Sequence, residues 1–201
     1  MKTTSITLIF LVTLALLSQS CTKEYFRIEG TGTVSTQNLD LEEFSAIRLE
    51  GADNVDISYG PVQKVEVTGH PNIISRIMTE VRNGVWEMGL EDGNYGNYQL
   101  KYSLTLPSLT AVEVIGSADV DVLNPMETDE FELFLMGSGS FRGFNLRANT
   151  SLVEIVGSGD CEITSDERLE VIIEGSGNVY YKGSPILQTD ITGTGRIMDA
   201  N

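Results

Sequence analysis

The chain has very little cysteine, histidine or positive charge. Of 201 residues only Cys21 and Cys161 are cysteines, and the only histidine is His70. A zinc centre needs three or four N, S or O ligands, usually rich in His and Cys, so no metal site is expected. If Cys21 is lipidated, no intrachain disulfide can form, and the fold must rest on packing and backbone ladders. Lys and Arg number 13 against 29 Asp and Glu, a formal net charge of −16. That balance argues against nucleic acid and against electrostatic docking on anionic lipid. The chain also lacks a long internal apolar run, so no transmembrane helix is expected after the N-terminus.

The one apolar run lies at the start. Lys2 is followed by Ile6 to Leu17 and then Leu17-Ser18-Gln19-Ser20-Cys21. The run has the length of a signal-peptide core and is too short to span a bilayer. Small residues followed by a Cys are the pattern of a lipoprotein signal, with Cys21 as the lipidated new N-terminus and residues 1–20 removed. Ser18 makes the pattern loose; an ordinary secretory signal that leaves Cys21 free is the alternative. Residues 21–201 then form one domain attached to the membrane through its N-terminal lipid.

What is abundant is glycine in one phrase. It reads Gly30-Thr31-Gly32, Gly51-Ala52-Asp53, Gly116-Ser117-Ala118, then Gly-Ser-Gly from Gly137, Gly157 and Gly175, and Gly193-Thr194-Gly195. From Gly116 the steps are 21, 20, 18 and 18 residues. Two before each first glycine stand Ile28, Leu49, Val114, Leu135, Ile155, Ile173 and Ile191. Four after it stand Val34, Val55, Val120, Phe141, Cys161, Val179 and Ile197. Apolar residues at even offsets, many β-branched, read as half-buried strands. The glycine pair reads as a corner between strands. The expected fold is therefore all-β: a single parallel, right-handed β-helix (solenoid) with coils of about 20 residues. Val65, Val67 and Gly69 read as a degraded further coil. Residues 70–107 break the pattern, with a short helix over Ile73 to Glu80 and strands at Val85 to Met88 and Leu100 to Leu106. They read either as an irregular insertion or as two irregular coils.

The loose lipoprotein signal, the phrase Phe44-Ser45-Ala46-Ile47 and the serial apolar-x-apolar-x-Gly-Ser-Gly-Asp/Asn pattern together resemble the auto-transporter adhesin, head GIN domain family. The resemblance covers roughly Leu41 to the C-terminus. It implies a β-helix-like fold, a cell-envelope location (the outer membrane, on its periplasmic or surface side) and an adhesin-like role. It brings no catalytic residues.

Three side-chain sets are candidates for chemistry. The Gly-Ser-Gly-Asp strings resemble calcium-binding nonapeptide repeats, but the period is double and Arg196 shares the column with Asp119 and Asp160; solvated turns account for them equally well. Asp119, Asp121, Asp160 and Glu162 fall on adjacent outward columns, where paired carboxylates could serve glycan hydrolysis. A carbohydrate-active β-helix enzyme, lyase or hydrolase, is therefore the alternative to a non-enzymatic module. Cys161 falls on an inward column and reads as a buried apolar residue. The third set is an outward apolar stripe, Ile115, Phe134, Met136, Val156 and Ile172. Either the segment from Pro71 to Leu106 covers it, or it is a surface for an unidentified protein or glycan partner. No cofactor, metal or catalytic set is expected.

Overall fold

Alternation of buried and exposed residues decides where the chain extends. The computed structural model describes residues 26–201, so the expected leader at 1–20 and Cys21 lie outside the described residues. The strands are β1 Arg27–Glu29, β2 Ser35–Leu39, β3 Ala46–Gly51, β4 Asn54–Tyr59, β5 Lys64–Gly69, β6 Val81–Arg82, β7 Val85–Met88, β8 Asn94–Gly96 and β9 Lys101–Leu106. They continue as β10 Ala111–Gly116, β11 Asp119–Val122, β12 Met126–Gly137, β13 Ser140–Gly157, β14 Cys161–Gly175, β15 Asn178–Lys182, β16 Ile186–Gly193 and β17 Arg196–Asp199. A single helical turn, α1, spans Pro71–Ile74.

From β10 onward the chain climbs by parallel pairing. Gly116 lies beside Gly137, Gly137 beside Gly157, Gly157 beside Gly175, and Gly175 beside Gly193. Side chains that share a column therefore stack. Val112, Leu133, Val153 and Val171 form one inward row, and Val114, Leu135, Ile155 and Ile173 another; all are at most 2% exposed. On the opposite wall Val55, Val120, Phe141, Cys161 and Val179 form a fully buried row. β13 and β14 belong to both walls, so the sheet curls around one apolar core. The Cys161 thiol lies wholly inside it, and burial pushes its pKa up, so it behaves as a small apolar side chain.

The expected single parallel β-helix with one insertion is not what the chain builds. Fifteen strands form one mixed sheet, with antiparallel pairs β2–β5, β5–β9 and β6–β7. The reason is loop length. A parallel crossover takes a dozen or more residues, and only Gly60 to Gln63 separate β4 from β5. β5 must therefore reverse, and Val65 and Val67 enter the core from an antiparallel strand rather than from a coil. The Gly30 phrase also stands outside the ladder. β1 pairs with β8 in a separate two-stranded sheet, and Phe26 and Val34 are exposed.

The segment 70–107 joins the sheet in two places, with β6 and β7 at one edge and β9 between β4 and β5. β7 runs parallel beside β3, and β9 parallel beside β4. The expected helix over Ile73 to Glu80 shrinks to α1, because Ile77 bridges to Leu90 as extended chain. Asn83 and Gly84, with φ of 52° and 76°, make the tight β6–β7 turn. Two positive φ angles at an Asn-Gly pair are the geometry of a type I′ hairpin. Trp86 is fully buried and donates its indole N–H to the Met78 carbonyl at 2.9 Å.

Candidate functional site

The five stripe residues lie on the outer face of the first wall, on β10, β12, β13 and β14. Ile115, Met136 and Val156 are side by side in one column, which Glu50 precedes and Glu174 follows. The next column reads Arg48, Glu113, Phe134, Glu154, Ile172 and Asp190. Phe134 and Ile172 thus alternate with carboxylates, and Phe134 is the direct neighbour of Glu113 and Glu154. A third column adds Leu152 between Glu132 and Glu170, a residue that the sequence reading missed because it lies five before the corner glycine. Met136 is 43% exposed, and the other members are half-buried.

The segment from Pro71 to Leu106 does not lie over this patch. It extends the sheet beyond β3 and β4 and sends Ile73, Ile74 and Trp86 into the core. The patch therefore faces outward with an acidic frame. Arg48 pairs with Glu50 at 3.1 Å and reaches Glu113 at 3.7 Å, and Arg168 pairs with Glu170 at 3.1 Å. Glu132, Glu154, Glu174 and Asp190 have no ion-pair partner among the described residues.

Three of the four carboxylates considered for glycan chemistry, Asp119, Asp121 and Asp160, are held by hydrogen bonds, whereas the Glu162 side chain has no such partner among the described residues. The Asp119 N–H donates to Asn54 Oδ1 at 3.3 Å, and Asp119 Oδ1 accepts from the Ser140 N–H at 3.1 Å. Asp160 Oδ1 accepts from both the backbone N–H and the side-chain amide of Asn178, each at 2.9 Å. Each of these side chains satisfies a backbone donor of the adjacent strand at the glycine corner. Arg142 bridges Asp119 at 2.9 Å and Asp121 at 3.1 Å, and these hydrogen bonds hold its pKa above the ordinary value. Among the described residues no group of three or more His, Cys, Asp or Glu is placed to hold a metal ion. His70 directly precedes α1 without a side-chain cap bond to it, and its Nδ1 lies 3.0 Å from the Gly32 carbonyl.

A groove of about 790 Å³ opens where β4 meets β9, lined by Asp53, Asn54, Tyr98, Gln99 and Lys101 among others. Asp53, two after Gly51, stands where Ala118, Gly139, Gly159 and Gly177 stand after the later corner glycines. Burial raises its pKa, opposed by a hydrogen bond from the Leu100 N–H. A raised folded-state pKa means that the charged form costs stability. The cost is full above the folded pKa and gone below the unfolded value near 3.8. Asp53→Asn keeps the acceptor for Leu100 and removes the charge. It should raise the melting temperature at pH 7, with the gain fading as pH falls toward 3.8; a gain independent of pH would show that charge is not its source.

The described residues form an all-β sheet wrapped around a filled core, with apolar side chains between carboxylates on one outer face. The chain belongs to the family described as "Putative auto-transporter adhesin, head GIN domain", whose model matches residues 43–141 and 127–185. Family membership points to an exported or cell-envelope protein with an adhesin-like role. Among solved structures, a protein described as a putative adhesin from Bacteroides fragilis NCTC 9343 shares the fold. It has 20% identity and a TM-score of 0.57, over 85% of this chain and 99% of its own. A putative lipid binding protein from Parabacteroides distasonis ATCC 8503 matches at 17% identity and TM-score 0.48, over 88% and 100% of the two chains. A putative adhesin from Parabacteroides merdae ATCC 43184 matches at 17% and 0.45, over 87% and 99%. No curated protein matches the chain. No helix among the described residues is long and apolar enough to cross a membrane.

Proposed function

We propose that this protein is a non-enzymatic adhesin-like module, held at the cell envelope by lipid on Cys21, which docks a protein partner through the outer face of β10, β12, β13 and β14. The observation that carries this reading is the apolar block Ile115, Met136 and Val156, with Phe134 and Ile172 beside it, left uncovered within a ring of carboxylates. An exposed apolar patch rimmed by polar groups is the composition of an interaction surface. The unpaired Glu132, Glu154, Glu174 and Asp190 select a partner surface that is basic around an apolar centre, because a like-charged partner would be repelled. A glycan partner would depend less on salt, since its contacts are mainly neutral hydrogen bonds.

Met136→Asp and Val156→Asp place charge in the centre of the block without touching the inward rows. Capture of envelope proteins by the purified chain should drop at least about tenfold in either variant, with the thermal transition kept. Capture by the wild type should weaken as salt rises. Undiminished capture by both folded variants would remove the patch from the reading, and binding confined to a glycan array would move the partner to the glycan class. The anchor is tested separately: by intact mass, the wild-type protein from membranes should exceed Cys21→Ser by a lipid group, and equal lipid-free masses would overturn it.

A further inference from the structure

We propose that two copies of this chain pair edge to edge through β16, antiparallel and about a two-fold axis at Thr189, independently of the partner face described above. The two ends of the sheet differ. One end is closed by β6, two residues long, and by the antiparallel polar strand β2. The other ends on β16 and on the four-residue β17, which pairs with β15 alone; β16 is the longer, an eight-residue strand hydrogen-bonded to β14 on one side only. Natural sheet edges are usually blunted by Lys, Pro, bulges or brevity. β16 reads Ile186-Leu187-Gln188-Thr189-Asp190-Ile191-Thr192-Gly193: it has no Lys, Pro, bulge or shortness, and Asp190 is its one charged residue. Its inward side chains continue the core rows, and among the described residues no strand follows beneath them. Leu187 follows the fully buried Leu169, and Ile191 the fully buried Ile173, yet Leu187 is 40% and Ile191 41% exposed.

The occupant follows from register and charge. A two-fold pairing that keeps inward side chains inward must centre on a residue, because a shift by one flips every side chain. Centring on Asp190 would set two carboxylates face to face. Centring on Gln188 would leave Leu187 opposite Thr189. Centring on Thr189 sets Leu187 against Ile191 of the second copy, Thr189 against Thr189, and Gln188 against Asp190. That register extends the apolar row across the junction, gives a favourable Thr–Thr pair and places an amide donor opposite each carboxylate. Head-to-tail stacking is disfavoured because the β6 and β2 end offers no open parallel edge.

The test uses the full chain carrying Cys21→Ser, so that neither lipid nor a second exposed thiol intervenes. Light scattering should give twice the chain mass at micromolar concentration. The dimer should tighten as salt rises, because each copy has a formal charge of −16 that salt screens. Ile191→Asp should give the monomer. Gln188→Asp should raise the dissociation constant about tenfold by facing Asp190 with a second carboxylate. It does so without weakening the monomer, since Arg168, which now donates to Gln188 at 3.0 Å, would gain an ionic partner. Under mild oxidation Thr189→Cys should give a cross-linked dimer. Thr194→Cys, about 34 Å from its mate in this register, should not. A monomer at about 100 μM, a dimer loosened by salt or indifferent to Gln188→Asp and Ile191→Asp, or equal cross-linking at both cysteines would overturn the proposal.

Discussion

Gly157→Ala should lower stability by about 3 kcal/mol, a fall of about 10 °C in melting temperature for a domain of this size. Gly157 has φ of 131°, a conformation that residues with a Cβ rarely adopt. Its carbonyl accepts the Ser176 N–H at 2.8 Å, and the Ser158 N–H beside it donates to the Gly137 carbonyl at 2.8 Å. A Cβ at Gly157 would run into that same Gly137 carbonyl, backbone that cannot give way without breaking the corner. Backbone strain and crowding therefore act together. Gly51→Ala separates them. Gly51 has φ of 126° but open space where its Cβ would stand, so it should lose only the strain share, about half as much. Chemical denaturation of both variants measures the difference, and equal losses would show that crowding contributes nothing.

Phe141→Ala should cost about 3–5 kcal/mol, with Phe141→Leu costing about half of that. The Phe141 ring is fully buried and stacks on Phe131, centroids 5.2 Å apart and planes 25° apart. Gly143 leaves room for the ring, since a Cβ there would strike it. The stack joins the row through Val120 and Cys161 to the row through Leu169, so its loss opens a cavity between the two walls. Alanine should shift the denaturation midpoint strongly with an unchanged slope. A loss below about 1 kcal/mol would mean that the walls collapse onto the vacated space.

Much of the interior was legible from residue order. Val112, Val114, Leu133 and Leu135 alternate with mixed residues, and alternation decides which face a strand buries. Cys161 was placed inside by the same offset as Val120 and Val179. The stripe was legible too, because odd offsets that carry Ile115, Met136 and Val156 must face outward if the even ones face inward. Leu152 was less legible because it lies five residues before Gly157, farther from the corner than the other stripe residues. The strand at Val85 to Met88 was legible, but the Asn83-Gly84 pair just before it was not recognised as its hairpin turn.

Strand direction was not legible, and that separates the expected regular solenoid from the mixed sheet. Val65, Val67 and Gly69 have the spacing of a coil, and Gly30-Thr31-Gly32 has the phrase of a corner. Period two reports a face and is the same whether a strand runs up or down. Direction comes from the reach of the connection, and four residues between β4 and β5 leave room only for reversal. The neighbours of β9 were likewise beyond local pattern, since it lies between β4 and β5 and keeps the chain's next strand away from the last. By itself the sequence determined the all-β class, the inward rows, the glycine corners and the outward stripe, all of which depend on residues within a few positions of one another. Only the tertiary structure decided which strands meet, which end of the sheet is closed and which is left open at β16, and that the 71–106 segment leaves the stripe uncovered, because each of these depends on loop closure and on contacts between residues far apart in the chain.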